Sequence, residues 1–167
     1  MTIALRPLTP ADEGFLWEML YYAAHMDAEG DKTPADARHD PFLAKFVQGW
    51  GVDGDLGLAA VDTASGQPVG AAWVRLLTGP QRSYDAVDDS VPELAIAVRP
   101  EYVGQSIGTR LLAALLDAAR LIYPAIVLSV RDDNPARRLY ERLGFVAVDR
   151  ITNRVGTPSQ VMVVTLR

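Results

Sequence analysis

Glu93-Leu94-Ala95-Ile96-Ala97-Val98-Arg99-Pro100-Glu101-Tyr102-Val103-Gly104-Gln105-Ser106-Ile107-Gly108-Thr109 passes from a short apolar run, through one proline and two glycines, into the start of a long periodic segment. Glu93 to Val98 reads as a strand that Arg99-Pro100 ends, because proline removes the N–H that a central ladder needs. From about Ser106 to Leu121 the residues Ile107, Leu111, Leu112, Leu115 and Leu116 recur at helical spacing and make a broad apolar face, which Pro124 stops. A strand therefore feeds a helix N-terminus through a glycine-bearing turn. That is an anion site in outline: unpaired N–H groups converge, the helix dipole favours negative charge, and glycine lets a phosphate approach the main chain. The same glycines also suit a plain helix start that only has to turn. No Lys-Ser/Thr ending follows, and the spacing does not fit Gly-x-Gly-x-x-Gly, so a nucleotide of the ATP or NAD type finds poor support.

Working outward, Thr2 to Arg6 alternates and stops at Pro7, after which Thr9 offers a cap to a helix carrying Phe15, Leu16, Met19, Leu20 and Ala23. Asp27 to Asp40 is polar, with Gly30 and Pro34, and reads as a loop with room for a short helical turn. A second helix is expected over Pro41 to Gln48. Asp55 to Asp62 and Pro68 to Leu77 are β-rich runs joined by Thr63-Ala64-Ser65-Gly66-Gln67, which predicts a hairpin. Beyond the long helix come a strand over Ala125 to Val130, a helix over Asn134 to Leu143 closed by Gly144, and strands around Phe145 to Val148 and Gln160 to Leu166. A hairpin in the first half and strand–helix alternation in the second predict a mixed sheet, in the α/β or α+β class.

The 167-residue length fits one domain, expected here over 1–167. Cysteine is absent, which removes disulfides, thiol nucleophiles and thiolate metal sites. His25 and His39 stand far apart, outside any His-Glu-x-x-His arrangement, so no metal site is expected. No Gly-x-Ser-x-Gly appears either. A net charge of −5 argues against a partner made of nucleic acid, which needs a basic face, and weakly favours cationic ligands. No apolar run reaches the ~20 residues of a membrane span, and Met1 to Pro7 lacks the pattern of a signal peptide, so no membrane partner and a cytoplasmic location are expected.

A second motif is more specific: Asn134-Pro135-Ala136-Arg137-Arg138-Leu139-Tyr140-Glu141-Arg142-Leu143-Gly144-Phe145. Each of its residues also has a plain duty. Asn134-Pro135 makes a standard helix start, Tyr140 shares a face with Ala136, Leu139 and Leu143, and Gly144 is a good C-cap. The segment nevertheless resembles Asn-x-x-Ala-x-x-Leu-Tyr-x-x-x-Gly-Phe of the GNAT superfamily of N-acetyltransferases: Ala136, Leu139, Tyr140, Gly144 and Phe145 fall on its specified positions, and Asn134 stands one residue nearer to Ala136 than its Asn. The stretch Glu93 to Leu116 resembles the coenzyme-binding core of the same superfamily, whose turn reads Arg/Gln-x-x-Gly-x-Gly/Ala. Here those six positions are Val103-Gly104-Gln105-Ser106-Ile107-Gly108, so Val103 replaces the side-chain donor and Ser106 the first glycine. The resemblance extends more loosely from Leu5 through Phe145, most of the chain.

The resemblance implies a GNAT-like, mostly antiparallel mixed sheet of about six to seven strands flanked by about four helices. It implies acetyl-CoA as cosubstrate, with the pyrophosphate on Val103, Gly104, Gln105, Ser106, Ile107, Gly108 and Thr109. The pantetheine arm would lie along Ile96, Ala97 and Val98, with a hydrogen bond from Asn134. Tyr140 would serve the departing thiolate, since a phenol of pKa about 10 can protonate it or stabilise its charge. An ammonium acceptor must first lose a proton, and Glu93, opening the strand beside the expected thioester, is the candidate base if burial against Leu94 or Trp73 raises its pKa; an ordered water is the alternative. A backbone N–H near Ile96 or Val98 would polarise the carbonyl.

The acceptor entrance would lie between the loop from His25 to His39, with Asp27, Glu29 and Asp31, and the loop from Thr78 to Pro92, with Asp85, Asp88 and Asp89. Their charge could draw in a cationic amine, although solvated loop charge explains it equally. Trp50, Trp73, Tyr21, Tyr22 and Tyr84 are candidates to line the pocket, or to fill the core. The expected partner is a small-molecule or peptide amine, with a homodimer as an option. Two rivals stay open: a non-catalytic acyl-CoA-binding or regulatory domain of the same fold, and a nucleotide-binding protein with no role for Tyr140.

Overall fold

The computed structural model describes residues 2–167. Seven strands join one mixed sheet in the order β1-β2-β3-β4-β5-β7-β6: β1 (Ile3–Pro7), β2 (Leu56–Asp62), β3 (Gln67–Arg75), β4 (Glu93–Val98), β5 (Ala125–Arg131), β6 (Val146–Thr152) and β7 (Pro158–Thr165). Five α-helices accompany them among the described residues: α1 (Glu13–Ala23), α2 (Pro34–His39), α3 (Pro41–Ala44), α4 (Ile107–Ala119) and α5 (Ala136–Arg142). The expected class, strand number and hairpin are all present. The chain forms two compact units, the first from residues up to Arg75 with Ala95–Leu115, the second from Leu76–Leu94 with Leu116–Arg167.

In the first unit β1 pairs antiparallel with β2, Leu5 opposite Ala60, and β2 pairs antiparallel with β3 across the expected hairpin, with a register shift at Ala60/Val61. Leu16, Met19 and Leu20 of α1, spaced to share one helical face, are buried with Trp73, Val47 and Trp50 in one apolar cluster. Trp73 is wholly buried, and its indole N–H donates to Phe46 O at 3.0 Å. Arg75 is buried too, forking onto Asp55 at 3.0 and 2.8 Å and donating to the Lys45 and Gln48 carbonyls, so the pair has the surrounding hydrogen bonds that buried charges require. Trp50 lies beneath that guanidinium, 5.5 Å from its ring centroid. Both tryptophans thus serve the core of this unit.

In the second unit β5 pairs antiparallel with β7, Leu128 opposite Met162, and β7 with β6, where the register shifts between Ala147 and Asp149. Glu93, the first residue of β4, lies parallel to β5 opposite Val127, whose N–H donates to Pro92 O at 3.1 Å. Tyr84, Val91, Val127 and Val161 form a small buried cluster.

In the first unit, helices α2 and α3 depart from expectation. The polar segment before Asp40 holds a full helix, α2, because Thr33-Pro34-Ala35-Asp36 supplies a start signal: Asp36 accepts the Thr33 N–H at 2.7 Å and proline occupies the first turn. The helix expected over Pro41 to Gln48 shrinks to α3, with turns beyond Ala44. No helix among the described residues is long and apolar enough to cross a membrane.

Candidate functional site

In the first unit, Ala97 is buried while Ile96 and Val98, which share the opposite face of β4, are half-buried. After Val98 the Arg99 N–H returns to Val69 O at 2.8 Å, and Pro100–Tyr102 make one 3-10 turn. Gly104 then adopts φ +86° and Ser106 φ +62°. The Arg110 N–H donates to Ser106 O at 3.1 Å, closing the first bond of α4. The N–H groups of Ile107, Gly108 and Thr109 consequently have no acceptor inside the helix. Ile107 is buried and pins the helix start, whereas Gln105, Ser106 and Thr109 are exposed.

The two glycines serve different ends. A side chain at Gly104 would meet nothing within 4 Å, so glycine is needed there for its left-handed backbone alone. Gly108 is helical, and an added Cβ would touch only the Ile96 Cδ1 at 4.0 Å. Neither packing nor backbone conformation demands glycine at 108; its lack of a side chain leaves the first turn of α4 open on that side. Ser106 holds a conformation that costs a non-glycine residue about 1–2 kcal/mol. Val103 is 66% exposed and offers no donor. The donor set is main-chain N–H with the Ser106 and Thr109 hydroxyls, which fits a pyrophosphate and repels a cation.

In the second unit, α5 starts at Ala136, two residues after the expected Asn134. Pro135 is the N-cap residue, and Asn134 just before it accepts the Ala136 N–H on Oδ1 at 2.9 Å, so its side chain helps to hold the helix start. Tyr140 is 7% exposed, its ring 5.8 Å from that of Phe145. Burial pushes its pKa up to about 12, with no hydrogen bond or charge contributing. Gly144 takes φ +100° and turns the chain into β6, its N–H donating to Glu141 O.

Glu93 is completely buried, and its Oε2 accepts the Ser83 N–H at 2.8 Å. This fastens the Leu76–Leu94 segment to the start of β4. Beside it Tyr84 donates to Ser129 Oγ at 3.0 Å, and its phenol pKa is raised by burial and further by the Glu93 charge. The acidic residues of this loop are largely spent on shaping it. Asp89 accepts from the Gly79 N–H and from Arg82 at 2.7 Å, and Asp88 accepts from Ser90, interactions that hold both carboxyls below their ordinary range. With Arg82, Asp85, Val87 and Ser90 they line an open depression of about 640 Å³. In the first unit Tyr21 donates to Lys32 O and meets Tyr22 edge-on at 5.0 Å.

Sequence reasoning missed two ties in the first unit. The Tyr102 hydroxyl donates to Asp62 Oδ2 at 3.0 Å, and Arg99 forks onto Glu18 at 2.6 and 2.9 Å. The partners lie 40 and 81 residues apart, so no local pattern announces them.

No curated protein sequence matches the chain. Solved structures do. One is yncA of Salmonella typhimurium, solved with its cofactor acetyl-CoA: 22% identity over 100% of this chain and 95% of that one, TM-score 0.66. A GCN5-related N-acetyltransferase from Kribbella flavida gives 21% identity, 98% and 97% coverage and TM-score 0.67. A spermidine N-acetyltransferase chimera of Vibrio cholerae SpeG and hSSAT gives 19%, 99% and 96%, and 0.66. Identities this low establish the shared fold. Residues 17–145, which carry both the glycine turn and the Asn134–Phe145 segment, match the acetyltransferase (GNAT) family, and it is to this family that the chain belongs.

Proposed function

We propose that the protein transfers the acetyl group of acetyl-CoA directly to a primary amine. The observation that carries this reading is the turn from Val103 to Thr109. It is an open main-chain cradle at the N-terminus of a 13-residue helix, and Gly108 is bare where the fold does not need it to be. The turn would take the pyrophosphate, with Ile96, Ala97 and Val98 along the pantetheine arm, and Asn134 would hydrogen-bond that arm.

In the reaction the amine nitrogen bonds to the thioester carbonyl carbon, the C–S bond breaks, and the nitrogen gives up one proton. Tyr140 has the properties of a hydrogen-bond donor to the leaving sulfur. A thiol has a pKa near 8.5 and this phenol one of about 12, so complete proton transfer from Tyr140 would be uphill by roughly 5 kcal/mol. A shared proton stabilises the thiolate without that cost.

Glu93 is proposed to accept the proton of the amine, directly or through water. Its bond to Ser83 gives it an anchoring duty as well, and Glu93→Gln separates the two: glutamine can still accept the Ser83 N–H but has no basicity. Turnover should fall ten-fold or more, with thermal stability kept, if Glu93 is the base. Unchanged turnover would leave the proton to water and Glu93 to the loop.

A second reading, a non-catalytic acyl-CoA-binding domain, draws on Val103, which removes the side-chain donor of the turn. The decisive test pairs calorimetric titration with acetyl-CoA and mass-spectrometric detection of acetylation across a panel of polyamines, amino acids and peptide N-termini. Binding with acetylation supports the enzyme; binding without it, over the whole panel, supports the second reading. Absence of binding contradicts both.

A further inference from the structure

We infer that Arg99 and Tyr102 are positioning residues that lock the pyrophosphate turn in its binding conformation from outside the site, an inference that rests on the acetyl-CoA reading above. The 3-10 turn Pro100–Tyr102 is the stem of the cradle, and a tie stands at each end of it. At its start, Arg99 forks onto Glu18 of α1 with its guanidinium 5.6 Å over the Phe15 ring. At its end, the Tyr102 hydroxyl reaches Asp62, the last residue of β2. Asp62 is itself buried and held by the Ala64 N–H at 3.0 Å, so it is a fixed post. Neither Arg99 nor Tyr102 lies among the donors at the helix N-terminus.

The need for such ties follows from Val103 and Ser106. With no side-chain donor at 103, affinity rests on main-chain N–H groups, whose worth depends on their direction being set before the ligand arrives. Ser106 sits in a left-handed conformation that an unrestrained chain would leave. A stem clamped at both ends limits that escape. The ties therefore convert a turn poor in side-chain donors into a preorganised one.

The test compares wild type with Tyr102→Phe, which deletes one hydroxyl, and with Arg99→Lys and Arg99→Ala, by two readouts. The first is hydrogen exchange, without ligand, at the amides of Tyr102, Val103 and Arg110, which donate to Arg99, Pro100 and Ser106. The second is the Kd for acetyl-CoA with kcat at saturation. Tyr102→Phe should speed exchange at these amides at least five-fold while amides of β5 and β7 are unchanged, and should raise Kd about five- to ten-fold with kcat within two-fold. Arg99→Lys should recover part of what Arg99→Ala loses. Unaltered exchange and Kd in Tyr102→Phe would overturn the inference, as would a uniform acceleration over the whole chain. A wild type that does not bind acetyl-CoA would instead sink the acetyltransferase reading, while the exchange comparison would still decide whether the ties hold the turn.

Discussion

The glycine turn and the Asn134–Phe145 segment are assigned to the same reaction, yet they tolerate sequence change in opposite ways. The turn works with its main chain. Two of its family positions are altered, to Val103 and Ser106, and the loop still presents a left-handed path into an open helix N-terminus. The segment around Tyr140 works with a side chain, and there Ala136, Leu139, Tyr140, Gly144 and Phe145 of the motif are all kept. A backbone site requires only that φ/ψ be reached and space left clear. A side-chain site requires the atom itself, at one place, in one protonation state.

The largest consequence of that contrast concerns alkali. Tyr140 is buried neutral with its pKa raised from 10.0 to about 12, and Tyr84 is shifted the same way. Between those values the folded state retains protons that the unfolded chain has released, so stability is full below about pH 10 and falls as pH rises towards 12. Tyr140 alone accounts for roughly 3 kcal/mol over that window. Urea midpoints at pH 8, 10 and 11 measure the fall, and Tyr140→Phe should reduce it to the share that Tyr84 carries. The glycine turn, which has no titrating donor, should contribute nothing to the slope.

Gly108→Ala sharpens the comparison from the other side. Alanine fits the helix and the space, and helix propensity favours it by about 1 kcal/mol, so Tm should hold or rise by a few degrees. The family turn itself admits alanine at this position, so the added methyl group should leave Kd for acetyl-CoA within about three-fold. A rise of ten-fold or more would show that this cradle needs the bare main chain at 108.

Ser106→Gly should have the smallest effect. Relief of the φ +62° strain is worth about 1–2 kcal/mol, and the greater freedom of glycine in the unfolded chain offsets part of it. A net gain of about 0.5–1 kcal/mol, read from denaturant midpoints, is expected. A loss would mean that the serine hydroxyl stabilises the turn in a way the backbone does not reveal.

The parts of the fold that sequence revealed are those whose burial follows a period. Both ends of β4 fall where the sequence reading put them, at Glu93 and Val98, because a charged residue opens the apolar run and Arg99-Pro100 closes it. The bounds of α4 came within two residues from five apolar positions. β6 came out too short, at 145–148 against Val146–Thr152, because it ends the sheet order and is exposed along nearly its whole length, leaving no alternation to read. Helix α2 was read only as a short helical turn within a loop although Thr33-Pro34-Ala35-Asp36 announced it; the polar composition around it outweighed the cap.

The candidate site divides along similar lines. Tyr140, Asn134 and the glycine turn were visible as local motifs. The burial of Glu93 under Ser83, and the ties from Asp62 and Glu18, join residues distant in sequence and emerge only from the fold. Trp50 and Trp73 were candidates for the acceptor pocket and are buried in the core of the first unit, as large aromatic residues usually are.

The most direct test of the account is kcat and acetyl-CoA Kd measured side by side for wild type and Tyr140→Phe, with whichever amine the panel shows to be acetylated. Loss of a hydrogen bond that forms only to the developing thiolate should lower kcat ten-fold or more and leave Kd within two-fold. Equal turnover in the two proteins would contradict the assignment of Tyr140 to the leaving group.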